Sequence, residues 1–146
     1  MPSKTSLYEQ DFYAWSRQQA ELLRAGKLVQ ADLEHIAEEI ESLGKTEKRE
    51  LVSRLTILLL HLLKWRYQPE GRDASWRLSI ANSRDEIADL LDDNPSLKSL
   101  LDEVVRLAYR YARRKAAIET GLDEERVPSQ CPWSFAQATE AAFWPE

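Results

Sequence analysis

Leu51-Val52-Ser53-Arg54-Leu55-Thr56-Ile57-Leu58-Leu59-Leu60-His61-Leu62-Leu63 is the stretch on which the fold turns. Leu51, Leu55, Leu58 and Leu62 recur at helical spacing, so they line one face of a helix. Ile57 and Leu60 fall outside that stripe, which makes Leu55 to Leu63 apolar over more than half its circumference. Such a helix is expected at the centre of a bundle or against another subunit. The run is far short of the roughly 20 apolar residues that a membrane span needs.

Working outward, this helix is predicted from about Glu47 to Tyr67. A helix over roughly Gln30 to Leu43 precedes it, with Val29, Leu33, Ile36, Ala37, Ile40 and Leu43 as its apolar stripe. Gly44 stands between the two, and the pattern allows either a break or one long helix kinked there. An earlier helix is predicted after Ser6, where Ser6-Leu7-Tyr8-Glu9 has the spacing of a capping box. Tyr8, Phe12, Trp15, Leu22 and Leu23 share its face, and Gly26 is placed to end it. Gln68-Pro69-Glu70-Gly71 reads as a loop. Asp73 can cap a fourth helix carrying Trp76, Ile80, Ile87, Leu90 and Leu91. Asn94-Pro95 opens a fifth, which ends near Gly121. A short last helix is expected from Ser134, with Gln137 in a second capping box.

No segment reads as a strand. The fold class is therefore all-α, a bundle of five or six helices with mostly antiparallel neighbours. A chain of 146 residues suits one domain, 1–146, with an ordered core of about 7–142. Apolar residues make up 43 % and charged residues 31 %, which argues against disorder. The net charge of −5 disfavours nucleic acid and anionic membranes as partners. One cysteine, Cys131, excludes an internal disulfide and fits a reducing cytoplasm. Met1 to Ser6 has no apolar run behind it, unlike a signal peptide.

Four segments carry a resemblance. They are Asp11-Phe12-Tyr13-Ala14-Trp15, then Asp32 through Gly44 (Asp-Leu-Glu-His-Ile-Ala-Glu-Glu-Ile-Glu-Ser-Leu-Gly), then His61-Leu62-Leu63-Lys64-Trp65, and Cys131-Pro132-Trp133. In this order the chain resembles the bacterial domain-of-unknown-function family numbered twenty-nine, over about residues 7 to 140. The resemblance implies an all-helical bacterial protein. It implies no activity, cofactor or site residue.

Four constellations carry chemistry. Asp32, Glu39 and His61 are the candidate catalytic or metal-binding set, because bundles build such sites from inward-facing carboxylates and histidines. His35 is expected to face solvent and to pair with Glu39. His61 is read chiefly as a core histidine that locks two helices; the alternative is a ligand or proton carrier, with Asp32 or Glu39 as its natural partner. Arg106, Arg110 and Arg113 share an outward stripe near Tyr109 and Tyr111. They are the candidate nucleic-acid contacts, set against the ordinary expectation of basic residues towards a helix's carboxyl end. Asp85, Glu86, Asp89, Asp92 and Asp93 crowd the fourth helix without the spacing of a calcium loop. Cys131 is a nucleophile only if a histidine stands beside it. Glycine-rich phosphate loops, paired Cys-x-x-Cys and zinc-protease motifs are absent.

The function is thus unknown from sequence, and no cofactor is identified. The leading expectation is a non-enzymatic interaction or scaffold bundle that binds protein, including itself. The alternatives are a small metal protein or enzyme on Asp32, Glu39 and His61, and nucleic-acid binding through the arginine stripe.

Overall fold

Helix α1 (Leu7–Gln10) and helix α2 (Phe12–Arg24) are separated by Asp11, whose carboxylate accepts the Ala14 amide at 3.0 Å. This cap replaces the expected one: Ser6 makes no side-chain cap, and Asp11 opens the main helix instead. Asp at that position satisfies an amide that the helix cannot. Helix α2 ends as anticipated at Gly26, which has a φ of 72°. Lys27 N–H returns to Leu22 O and Gly26 N–H to Leu23 O, the paired bonds that close a helix through a left-handed glycine.

This computed structural model describes residues 6–146. The reading of the first five residues as no signal peptide lies outside them. The chain divides into two compact units, Met1–Lys45 and Thr46–Glu146. Helix α3 (Leu33–Tyr67) begins in the first unit and ends in the second, and it runs unbroken through Gly44. Helices α4 (Ala74–Asp93), α5 (Leu101–Thr120) and α6 (Phe135–Thr139) complete the second unit. Among the described residues there is no strand, and no helix is long and apolar enough to cross a membrane.

In the second unit the leucine-rich stretch is the core, as its spacing demands. Leu51, Leu55, Leu58, Leu59, Leu62 and Leu63 are at most 1 % exposed. Burying each such side chain stabilises by about 1.5–3 kcal/mol. Ile80 and Ile87 of α4, Val104 and Ala108 of α5, and Val127, Trp133 and Ala138 beyond α5 join the same cluster. Leu60 is buried too, so only Ile57 at 36 % remains of the predicted apolar surplus there.

Ion pairs give the packing register. Arg54 meets Glu86 at 2.8 Å and Lys64 lies over the Trp76 ring at 4.7 Å, so α4 runs antiparallel to α3. Lys48 meets Glu103 and Lys64 meets Glu119, both 55 residues on, so α5 returns parallel to α3. Asp73 caps α4 through the Trp76 amide, and Ser134 caps α6 through the Gln137 amide. Asn94 does not cap the next helix. Its side-chain amide closes α4 onto Leu90 O, and Pro95–Leu100 is a 3-10 segment ahead of α5.

The carboxyl-terminal segment is tied down by a buried cation. Arg84, 7 % exposed, donates to the carbonyls of Ala138, Ala141 and Phe143 at 3.0, 3.3 and 2.7 Å. Its guanidinium also lies 5.4 Å from the Trp144 ring. Burial lowers its pKa from the ordinary value.

Candidate functional site

The first unit assembles a polar and aromatic cluster from α1, α2 and the start of α3. Trp15 Nε1–H donates to Asp32 Oδ2 at 3.1 Å, and Gln19 Oε1 accepts the Asp32 amide at 2.7 Å. His35 Nδ1–H donates to the same Asp32 oxygen at 2.7 Å. The imidazole stacks on Tyr8 at 4.0 Å between centroids, and Tyr8 donates to the Glu39 carboxylate. Trp15 meets Tyr8 edge-on at 4.7 Å.

The electrostatics follow from these contacts. The hydrogen bond from His35 holds the Asp32 carboxyl below its ordinary pKa, and the same bond raises that of His35. Donation to Glu39 pushes the Tyr8 hydroxyl up to about 12. Each group is held in the form its partner needs.

The candidate set is divided. Asp32 and Glu39 both belong to this cluster, and His61 takes its partner in the second unit. His61 Nδ1 bonds Ile57 O at 2.8 Å, a carbonyl of its own helix four residues back, so the ring neither bridges two helices nor meets a carboxylate. His35, expected to face solvent, is the histidine that joins the carboxylates, and it pairs with Asp32 rather than Glu39. The α2 face explains the difference. It presents an indole N–H, which needs an acceptor when buried, so the carboxylate edge of α3 turns to it. Among the described residues no three His, Cys, Asp or Glu side chains are placed to hold a metal ion.

That turn leaves the apolar stripe outside. Leu33 is 53 %, Ile40 63 % and Leu43 68 % exposed, whereas the sequence reading placed them in the core.

The second unit carries a groove of about 610 Å³ between α5 and the segment after it. Tyr109 donates to Pro128 O at 2.6 Å, and Arg113 donates to Val127 O at 3.1 Å and Glu124 O at 2.9 Å. These bonds fold the segment back along the helix. Arg106, Arg110 and Arg114 stand exposed on the helix wall of the groove. Gln130 and Cys131 stand across from them, and Val105, Tyr109 and Trp133 contribute its apolar lining. Arg113 is thus separated from Arg106 and Arg110, being largely committed to backbone. Burial raises the pKa of Cys131, and neither histidine lines the groove, so the thiol lacks a base.

A family model matches residues 7–144, with the four quoted segments inside that range. The chain belongs to the family described as domain of unknown function DUF29. An α-helical protein of unknown function from Rhodospirillum rubrum is 28 % identical to this DUF29 chain. Its match covers 96 % of this chain and 93 % of that one, with a TM-score of 0.58. Comparison with curated proteins gives no match. DUF29 membership and this neighbour both leave the function unassigned.

Proposed function

We propose that this chain is a non-enzymatic helical interaction protein, and that the first part of α3 pairs with a second copy. The observation that carries this is the apolar stripe left outside by the Asp32–His35–Glu39 cluster. Leu33, Ile40 and Leu43 are each more than half exposed on one helix. A stripe of that kind on a soluble helix is ordinarily covered.

Spacing supports a like partner. Leu33, Ile36, Ile40 and Leu43 step by three, four and three residues, the alternation of a coiled-coil seam. The stripe is symmetric about position 38. In an antiparallel pair related by a two-fold axis, Leu33 of one copy meets Leu43 of the other, and Ile36 meets Ile40. Self-complementarity of this sort is what an isologous interface requires. A cytoplasmic location belongs to the same reading, since the lone Cys131 suits a reducing compartment.

Sedimentation of the intact chain over a concentration series tests it. A dimer is expected that Ile40→Glu converts to monomer, with helicity retained because Ile40 is outside the core. In a Cys131→Ser background, Leu33→Cys and Leu43→Cys chains should cross-link to each other faster than either to itself. A wild-type chain that stays monomeric up to about 100 μM, a concentration at which an association of only about 6 kcal/mol would show, would defeat the proposal.

A further inference from the structure

The arginines of α5 do not have the explanation that helix electrostatics normally offers. Cations are favourable near a helix's carboxyl end. Yet the last turn of α5 has no basic residue, and Arg106 and Arg110 lie in the first half of Leu101–Thr120. Acidic neighbours do not pair with them directly either. Glu86 is taken by Arg54, Glu103 by Lys48 and Glu119 by Lys64. Glu124, the one carboxylate lining the groove, is 3.7 Å from Arg113. Among the described residues no carboxylate lies within ion-pair distance of Arg106, Arg110 or Arg114. Arg106 adds to the field that lowers the pKa of Glu103, whose carboxylate Lys48 already holds, and a chain with a net charge of −5 keeps three guanidiniums without an ion-pair contact along one wall of a groove.

The three residues recur every four positions, spanning about 12 Å of helix. They stand on a single wall, so their forks can close on one ligand from the same side. Arg110 is partly held already, with its guanidinium 5.2 Å from the Tyr111 ring. The groove is of metabolite size, since ligand pockets run from about 300 to 1,000 Å³. A ligand that matches three cations within such a volume must be densely anionic. Planar guanidiniums that bind phosphate oxygens in pairs are the usual means of recognising such charge.

We propose that the groove between α5 and Ser129–Trp133 binds a small molecule bearing linked phosphates, with Arg106, Arg110 and Arg114 as its contacts. Nucleoside diphosphates and triphosphates and inorganic pyrophosphate share that chemistry. Val105 and the edges of Tyr109 and Trp133 are the surface on which a nucleoside would rest. A nucleic-acid strand is the poorer fit, because a surface that grips a long phosphate backbone is ordinarily basic beyond the site itself.

Calorimetric titration of the intact chain with ADP, ATP, pyrophosphate, citrate and an oligothymidylate series tests this. ADP, ATP or pyrophosphate should bind, and Arg110→Gln with Arg114→Gln should weaken binding by at least about tenfold, as loss of charged hydrogen bonds does. The far-ultraviolet circular dichroism should stay unchanged, because both side chains are exposed. Occupancy should also slow the reaction of Cys131, the sole thiol, with a maleimide. Tighter binding of ADP than of pyrophosphate supports a nucleotide, and equal binding supports recognition through the phosphates alone. The proposal is overturned if none of the three binds at millimolar concentration, if the double variant binds as well, or if citrate binds as tightly. Affinity that climbs steadily with oligothymidylate length would overturn it in favour of a nucleic-acid surface.

Discussion

His35 shows at the residue scale how a partner decides a role. Its Nδ1–H is held by Asp32 at 2.7 Å, and Glu38 and Glu34 add to the field that favours the imidazolium. Tyr8 stacks on one face of the ring and Trp15 stands perpendicular to it. The pKa of His35 is raised above the ordinary 6.5, so the folded state binds this proton more tightly than the unfolded chain. The stabilisation is complete below 6.5 and is lost as pH rises through the higher folded value. Asp32 runs the other way. Its contribution is present above the ordinary 3.8 and is lost as pH falls through the depressed folded value. The first unit should therefore be firmest between these limits. Proton NMR titration of the His35 ring is the check: the wild type should titrate above 6.5 and Asp32→Asn should bring it back down. A His35 resonance that titrates alike in both would mean that the ion pair does not form.

At the scale of elements, α3 is where sequence reading succeeded and failed at once. Its carboxyl-terminal half was legible because the pattern names Leu51, Leu55, Leu58 and Leu62 directly, and the apolar run around them brings Leu59 and Leu63 into the same core. The amino-terminal half was misread. Periodicity shows that Leu33, Ile36, Ile40 and Leu43 share a side, but not which side meets a neighbour. That choice was made by Trp15 and Gln19 of α2, whose polar groups need partners. The signal was present in the aromatic stripe of α2: a Trp facing a helix rich in carboxylates calls for an acceptor. The groove was not legible, since the return of Val127 to Trp133 onto α5 combines burial of those two side chains with bonds from Tyr109 and Arg113 to backbone carbonyls, which carry no sequence signature. Continuity through Gly44 has a measurable consequence. Gly44 lacks a positive φ, and a Cβ there would meet nothing within 4 Å. A glycine inside a helix costs about 0.5–1 kcal/mol relative to alanine. Gly44→Ala should therefore raise the urea midpoint by that amount of stability with the slope unchanged. A loss of stability would show that the helix bends or opens there in solution.

Across the whole molecule, burial is unequal between the units. Within the first, Trp15 and Gln19 are the buried residues among those described, whereas one apolar cluster occupies the second. Resistance to local opening follows buried apolar contact. In hydrogen exchange on the intact chain, amides of Leu55 to Leu63 should be slowest and should report global unfolding. Amides of Leu7 to Leu43 should exchange through smaller openings at dilute concentration. A second copy on the α3 stripe would change only the latter. Association adds free energy to the states that bind, in proportion to the logarithm of concentration. Protection of residues 33 to 43 should then grow as the protein is concentrated, while that of α5 holds constant. The paired result separates two origins of order in the first unit. Protection that is already high when dilute, and indifferent to concentration, would mean that the Asp32–His35–Tyr8–Glu39 cluster alone holds the unit and the exposed stripe has no second copy to meet. Protection that rises with concentration in residues 33 to 43, and in step with the dimer seen by sedimentation, would locate the interface without any substitution.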